Sequence, residues 1–382
     1  MKGYFRKRGK TWSVTYDVGV DKYGKRKQKS KGGFKTKREA QEFLAEVQYD
    51  LKRGYTLEDS NMTFSDFIDE WYKWYIRDAK IGTTITRKNE AERLRNHLGN
   101  FKLNQINHTI YQQALDELAN QYMYSTVKNT HSVAKLIFKY AEQLNLIKRS
   151  PTQFAKLPRK DELDDLKFME KDTLGIFLNA AKTHGLDQDY LIFVTLAYSG
   201  VRIGELLALK WDDILENGIR IDETLHCPNN NASNYQLTPP KTKTSYRTIE
   251  LDKEIMWLFE NQRKEQNELK MMYRDVYQDD GFVFAKEDGK PFTKNKVQYR
   301  LKRLCKIAGI EEKYSPHHFR HTHVSLLIES QKDNNVDIKA IADRMGHSVM
   351  TTLKIYNHVT EGRKEEVSKS FKKIMKRHHQ IL

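Results

Sequence analysis

Cysteine is nearly absent: Cys227 and Cys305 are the only two in 382 residues. They cannot make a disulfide framework, and such usage suits a reducing cytosol. Long apolar runs are missing too. The longest, residues 191–198, falls far short of the roughly 20 residues a membrane-spanning helix needs. The first residues, Met1-Lys2-Gly3-Tyr4-Phe5-Arg6-Lys7-Arg8, are basic but lack the apolar core of a secretory signal. No internal repeat and no low-complexity tract interrupts the chain. A metal-ligand set is incomplete as well. His317 and His321 have i,i+4 ligand spacing, but position 318 is His rather than the Glu of a His-Glu-x-x-His metallohydrolase. Arg320 stands between the two, and no cysteine or carboxylate cluster completes a set. These gaps describe a soluble, intracellular protein with no metal, no cofactor and no membrane contact.

What the sequence does have is positive charge. It carries 67 Lys+Arg against 51 Asp+Glu, a net +16, which points to a polyanionic partner. The excess is concentrated: residues 1–57 hold 16 Lys+Arg and 6 Asp+Glu, so +10 lies in one small segment. An even, solvated basic surface would not be distributed this way, and nucleic-acid contact accounts for it better. An apolar fraction of 38% supports real cores, and 382 residues suggest two or three domains.

The pattern along the chain is mainly helical with small β-sheets. Trp12, Val14, Tyr16 and Val18 alternate as one face of a strand. A turn at Asp21–Gly24 leads into a basic strand from Lys25 to Lys29. Thr36 and Glu39 form a capping box for a helix with Ala40, Phe43, Leu44, Val47 and Leu51 on one face. We expect an N-terminal domain over 1–57, a three-stranded sheet plus helix whose cationic face (Lys25, Arg26, Lys27, Lys29) suits a DNA groove. Residues 62–147 read as four helices. The first is capped by Thr63 with Asp66, the second follows Thr86 and ends at a left-handed Gly99, and the others run from about Thr109 and from Ser125 to Leu144. The aromatic stripe Phe64, Phe67, Trp71, Tyr72 and Tyr75 reads as core, and off-stripe cations such as Arg87, Arg93, Arg95 and Lys128 could meet phosphates. Residues 148–165, with Pro151 and Pro158, read as a linker. Residues 166–382 form the third domain, mixed and mainly helical, with short strands near 218–221, 235–237 and 247–251.

Within that last domain stand residues suited to phosphodiester chemistry. Arg202 follows Ser199-Gly200 between an apolar helix and a second helix over 203–210, whose first amides would also favour an anion. Guanidinium forks bind non-bridging phosphate oxygens without changing protonation. Glu205, one turn on, could orient that guanidinium, although an ordinary surface ion pair accounts for Arg202 and Glu205 taken alone. His317 and Arg320 share a helix face. Tyr356 lies nine residues after His347. Holding a phenol ionised at pH 7 costs about 4 kcal/mol, which a base and a cationic pocket would offset.

In order and spacing these boxes resemble those of the tyrosine recombinases, the phage integrase family. They are Gly200-Val201-Arg202-Ile203-Gly204-Glu205, the hairpin Pro240-Lys241-Thr242-Lys243, His317-His318-Phe319-Arg320, and Gly346-His347 with Tyr356. The resemblance spans nearly the whole chain, in the layout of integrases from Gram-positive temperate phages and conjugative transposons. Two departures stand out. Phe319 takes a position usually held by leucine, and both Lys241 and Lys243 could supply the strand-borne lysine. We favour Lys241, because Pro240-Lys241-Thr242 followed by Arg247-Thr248-Ile249-Glu250-Leu251 fits the family pattern.

The resemblance implies an arm-type DNA-binding domain, a helical core-binding (SAM-like) domain and a catalytic domain. It implies that Tyr356 attacks the scissile phosphate to give a 3′-phosphotyrosyl intermediate. Arg202 and Arg320 would clamp the phosphate, Lys241 protonate the leaving oxygen, His317 assist proton transfer, and His347 hydrogen-bond the phosphate. The implied partners are double-stranded DNA at core and arm attachment sites and a homotetramer working through a Holliday junction. A host DNA-bending protein and an excision factor are further expected partners, in a bacterial cytoplasm. The basic tail Glu361–Leu382 would pack on a neighbouring protomer. A DNA-relaxing type IB-like topoisomerase and a non-enzymatic DNA-binding regulator are the rival readings.

Overall fold

A computed structural model describes residues 3–20, 24–52, 62–79, 81–158, 167–240, 243–334, 337–353 and 355. The chain divides into two compact units, Met1–Leu163 and Asp164–Leu382. No helix among the described residues is long and apolar enough to cross a membrane.

The first unit begins with strands β1 (Tyr4–Arg8), β2 (Thr11–Val20) and β3 (Arg26–Phe34), joined as an antiparallel sheet in that order. The expected alternation on β2 is present: Val14 and Tyr16 are buried, with Trp12 and Val18 packed beside them. Helix α1 (Lys37–Lys52) covers that face with Ala40, Leu44 and Val47. Glu39 N donates to Thr36 Oγ1 at 3.2 Å, while the Glu39 carboxylate accepts from Lys35 N at 2.8 Å. The anticipated cap is therefore there, shifted by one amide.

Four helices follow, α2 (Phe64–Tyr75), α3 (Ile81–Leu98), α4 (His108–Gln121) and α5 (Tyr124–Gln143). Thr63 and Asp66 close a reciprocal capping box on α2. Its aromatic stripe is core, with Phe64 stacked on Phe138 at 5.0 Å between centroids. Two expectations need correcting. Helix α3 starts at Ile81, and Thr86 sits inside it, its hydroxyl donating back to Gly82 O at 3.1 Å rather than capping. Gly99 is not among the positive-φ glycines. It is needed because a Cβ there would lie 2.5 Å from Arg95 O. Beyond α5 the chain docks on α4: Lys156 N donates to Gln112 Oε1 at 2.9 Å, and Gln112 Nε2 returns a bond to Lys156 O at 3.0 Å.

The second unit is built around α7 (Asp189–Ser199), which follows α6 (Lys171–His184). Residues 191–197 of α7 are buried on every side, as an all-apolar helix must be. Phe319 packs between Phe177 and Phe193, so the aromatic ring fills the core as a leucine would. After α7 comes α8 (Ile203–Leu206), four residues long rather than the eight expected. It stops because the chain turns to pair with 281–283: Val283 N donates to Leu209 O at 2.9 Å and Trp211 N to Gly281 O at 3.0 Å.

Strands β4 (Ile214–Leu215), β5 (Gly218–Ile221), β6 (Thr224–His226), β7 (Gln236–Thr238) and β8 (Arg247–Glu250) make two sheets, β4-β5-β8 and β6-β7. β7 and β8 lie in different sheets, so these two strands do not pair as the expected hairpin, whose residues 241 and 242 lie outside the described ones. Helices α9 (Lys253–Met272), α10 (Lys294–Ile307), α11 (Pro316–Asn334) and α12 (Ile338–Met345) complete the unit.

Candidate active site

Helix α7 ends at Gly200, which is left-handed at φ 63° and donates its N–H to Leu196 O. That reversal sets Arg202 at the start of α8. Arg202 Nη1 donates to Glu205 Oε1 at 2.6 Å and its backbone N–H to Glu205 Oε2 at 3.0 Å. Glu205 is only 2% exposed, so this is not an ordinary surface ion pair. Its second oxygen also accepts from Arg247 Nη2 at 2.8 Å. Burial pushes the Glu205 carboxyl up, but Arg247, with help from Arg202, outweighs burial and holds it below its ordinary value. Of the amides at the start of α8, that of Arg202 is taken by Glu205 itself.

Helix α11 supplies the second arginine. Arg320, 3% exposed, forks between two helix ends: Nη1 donates to Gly200 O at 2.9 Å and Nη2 to Met345 O. Burial and the charge of Arg202 press it down to about 9, so it stays charged at neutral pH. His317 is exposed at the start of the same helix. Desolvation of its ring, then the charges of Arg320 and Arg202, lower its pKa, which keeps it neutral and able to accept a proton. His321 packs edge-on to His317 at 4.6 Å, with its Nδ1 buried and unpartnered. Among the described residues no group of three or more His, Cys, Asp or Glu could hold a metal ion.

Helix α12 ends at Gly346, also left-handed, and the next residue is His347. Its Nδ1 lies 3.2 Å from Ser348 O and 3.3 Å from Thr352 Oγ1, while Nε2 is buried without a partner. Burial, then Arg320, push its pKa down to about 4. Nδ1 thus sits between a carbonyl, which can only accept, and a hydroxyl, which can donate or accept, and Nε2 is the ring nitrogen left without a partner beside the two arginines. Arg202 Nη2 reaches Gly346 O at 3.4 Å, next to the Met345 carbonyl that holds Arg320. Two guanidinium groups and one imidazole thus meet at a single turn. Helical backbone resumes over 349–353. Tyr356 and Lys241 lie outside the described residues. Lys243 opens the turn Lys243–Ser245, and its side chain also lies outside them.

A profile described as "Phage integrase family" matches residues 167–363, more than half of the chain. The chain belongs to the phage integrase family. Two further profiles match this integrase-family chain, "Arm DNA-binding domain" at 4–51 and "Phage integrase, N-terminal SAM-like domain" at 63–119. The prophage ps2 probable integrase of Lactococcus lactis subsp. lactis (strain IL1403) is 29% identical over 342 residues, covering 85% of this chain and 86% of that one. Among solved structures, the Tn1549 transposon integrase in complex with a circular intermediate DNA has a TM-score of 0.66 at 21% identity. That match covers 81% of this chain and 100% of the other. A lambda integrase tetramer bound to a Holliday junction has a TM-score of 0.57 at 15% identity, covering 93% and 97%. The fold is that of the tyrosine recombinase integrases, and the chain is a tyrosine site-specific recombinase.

Of the integrase site residues read from sequence, Arg202, Glu205, His317, Arg320 and His347 are brought to one region. The candidate DNA-binding residues are spread more widely. Arg26 is tied to Asp17 by a two-point ion pair across β2 and β3, Lys25, Lys27 and Lys128 are exposed, and Lys29 is half-buried. Arg87 is half-buried, with its Nε buried and unpartnered. Sequence reasoning missed Arg247 and Arg344 as parts of the site. Arg344 donates to Tyr198 O at 3.1 Å and to His323 Nε2 at 3.3 Å, pinning α12 to α7 and α11. The charged residue opening an otherwise alternating strand, Arg247-Thr248-Ile249, was the available signal.

Proposed function

We propose that this recombinase integrates a mobile element by cutting and rejoining attachment-site DNA. Tyr356 Oη attacks the scissile phosphorus, its proton passing toward His317, and the bond to the 5′-oxygen breaks. Lys241 gives that oxygen a proton, leaving a 3′-phosphotyrosyl enzyme and a free 5′-hydroxyl. A 5′-hydroxyl from the partner strand then attacks the same phosphorus and releases the tyrosine. The bond energy is kept in the covalent link, so the exchange needs no ATP. Arg202, Arg320 and the Nε2–H of His347 hold the non-bridging oxygens, whose charge grows in the transition state.

The observation that carries this reading is the orphaned, buried Nε2 of His347 beside two arginines anchored on adjacent carbonyls. A buried ring nitrogen with no partner, set beside two cations, is poorly satisfied until an anion arrives to share a proton with it. We further propose three domains, an arm-binding domain over 1–57, a core-binding domain over 62–147 and a catalytic domain over 166–382. They act as a homotetramer on core and arm sites in the bacterial cytoplasm, with a host bending protein and an excision factor as accessory partners. Incubating the full chain with two duplexes carrying the element's attachment sites tests the reading. Joined recombinant products are expected. Loss of supercoils with no joining would favour a relaxing enzyme instead.

A further inference from the structure

Three guanidinium groups end on three successive carbonyls. Arg247 Nε donates to Arg344 O at 2.8 Å, Arg320 Nη2 to Met345 O, and Arg202 Nη2 to Gly346 O at 3.4 Å. These carbonyls form the negative end of α12 and its cap, which cations stabilise. Arg202 and Arg320 also have a phosphate to hold. Arg247 has none: its side chain is 6% exposed and points at Glu205.

We propose that Arg247 is a positioning residue for strand cleavage, tying Glu205, and through it Arg202, to the turn that carries His347. The planar fork donates from three nitrogens to three segments: Nη2 to Glu205 in α8, Nε to Arg344 O at the end of α12, and Nη1 to Ser245 O at 2.9 Å. Arg247 is itself fixed in the sheet, where it pairs with Ile221 of β5. Arg202 has a side chain 39% exposed, so packing alone does not set its direction. Glu205 sets it, and Arg247 sets Glu205.

The turn is shaped to receive this head group. A Cβ on Gly346 would stand 3.1 Å from Arg247 Nη1, at a φ of +61° that favours glycine in any case. A lysine could keep the charge beside Glu205 but lacks the planar fork that reaches Glu205, Arg344 O and Ser245 O from three separate nitrogens.

The proposal rests on Arg202 being a phosphate clamp, so the test includes Arg202→Met. Full-length wild type, Arg247→Met, Arg247→Lys and Arg202→Met are each given a nicked duplex carrying the element's attachment core. Covalent adduct is followed in single turnover, on the natural phosphodiester and on a methylphosphonate at the scissile position. The methylphosphonate lacks the charge the clamp serves. Arg247→Met is expected to slow adduct formation roughly 100-fold without loss of duplex affinity. Arg247→Lys should not restore the rate. The deficits of Arg247→Met and Arg202→Met should shrink together on the methylphosphonate.

Wild-type cleavage by Arg247→Met, or by a folded Arg247→Lys, overturns the proposal. So does an Arg247 deficit of the same size on both substrates, which would mark a merely structural role. If Arg247→Met does not fold, Arg247→Lys carries the comparison, because it leaves Glu205 with a buried positive partner. Undiminished cleavage by Arg202→Met would instead overturn the clamp assignment, independently of Arg247.

Discussion

Replacing Gly200 by alanine tests the junction on which the site stands. The residue caps α7 at φ +63°, a left-handed conformation that costs an L-residue roughly 1–2 kcal/mol. The added Cβ would also meet Met345 Cε at 2.8 Å, Met345 Sδ at 2.9 Å and His323 Cδ2 at 2.9 Å. The Met345 terminus can bend, but Met345 is fully buried. The His323 ring is held at both nitrogens, Nδ1 donating to Ala197 O at 2.8 Å and Nε2 accepting from Arg344 at 3.3 Å. Overpacking of this kind adds about 1–3 kcal/mol, so Gly200→Ala should lose about 2–5 kcal/mol in all. Gly200 O is also an anchor of Arg320, so strand cleavage should fall by more than DNA binding does. Urea denaturation followed by circular dichroism measures the first effect, and single-turnover adduct formation the second. A variant within about 0.5 kcal/mol of wild type, the usual range for neutral surface changes, would refute the crowded left-handed junction.

Other consequences follow from the same geometry. Burial holds His323 at about 4, below its ordinary 6.5, and it is 8% exposed. The unfolded chain therefore binds a proton that the folded chain refuses between those values. Stability should be complete above about pH 6.5 and fall as pH drops toward 4, by about 3 kcal/mol from this residue. A denaturation midpoint that stays level from pH 7 to 4.5 would contradict this. Deleting residues 1–57 should flatten the dependence of DNA affinity on salt, by about 0.9 in log–log slope for each phosphate that the arm would otherwise neutralise. Cleavage of a short core site at low salt should survive that deletion, and its complete loss would count against the arm-domain assignment. Lys241→Ala should be rescued by a sulfur leaving group at the 5′-bridging position, which needs no proton, whereas Lys243→Ala should need no rescue. The opposite pattern would move the general acid to Lys243.

Much of this architecture could be read from short-range pattern. Thr63 and Asp66 lie three residues apart, and the alternation from Trp12 to Val18 is a property of one strand, so each is visible locally. The order of the arginine, histidine and tyrosine boxes also survives without coordinates. Other features depend on partners far along the chain. Strands of two to four residues carry too little alternation to reveal that β7 and β8 belong to different sheets. The reach of α8 is decided by pairing with residues 281–283, some seventy positions on. Arg247 looked like one more strand residue because its partners, Glu205 and Arg344, are 42 and 97 positions away. Thr86 resembled a cap because threonine favours that role, yet the helix had already begun at Ile81.

In the proposed reaction Tyr356 becomes covalently joined to DNA at a phosphate held by Arg202, Arg320 and His347. Trapping the full chain on a nicked duplex with the attachment core, digesting it, and sequencing the DNA-linked peptide by mass spectrometry tests this directly. One linked peptide is expected, modified at Tyr356 through the 3′-phosphate, with no adduct from Tyr356→Phe. A link at any other residue, or an undiminished adduct from Tyr356→Phe, would contradict it.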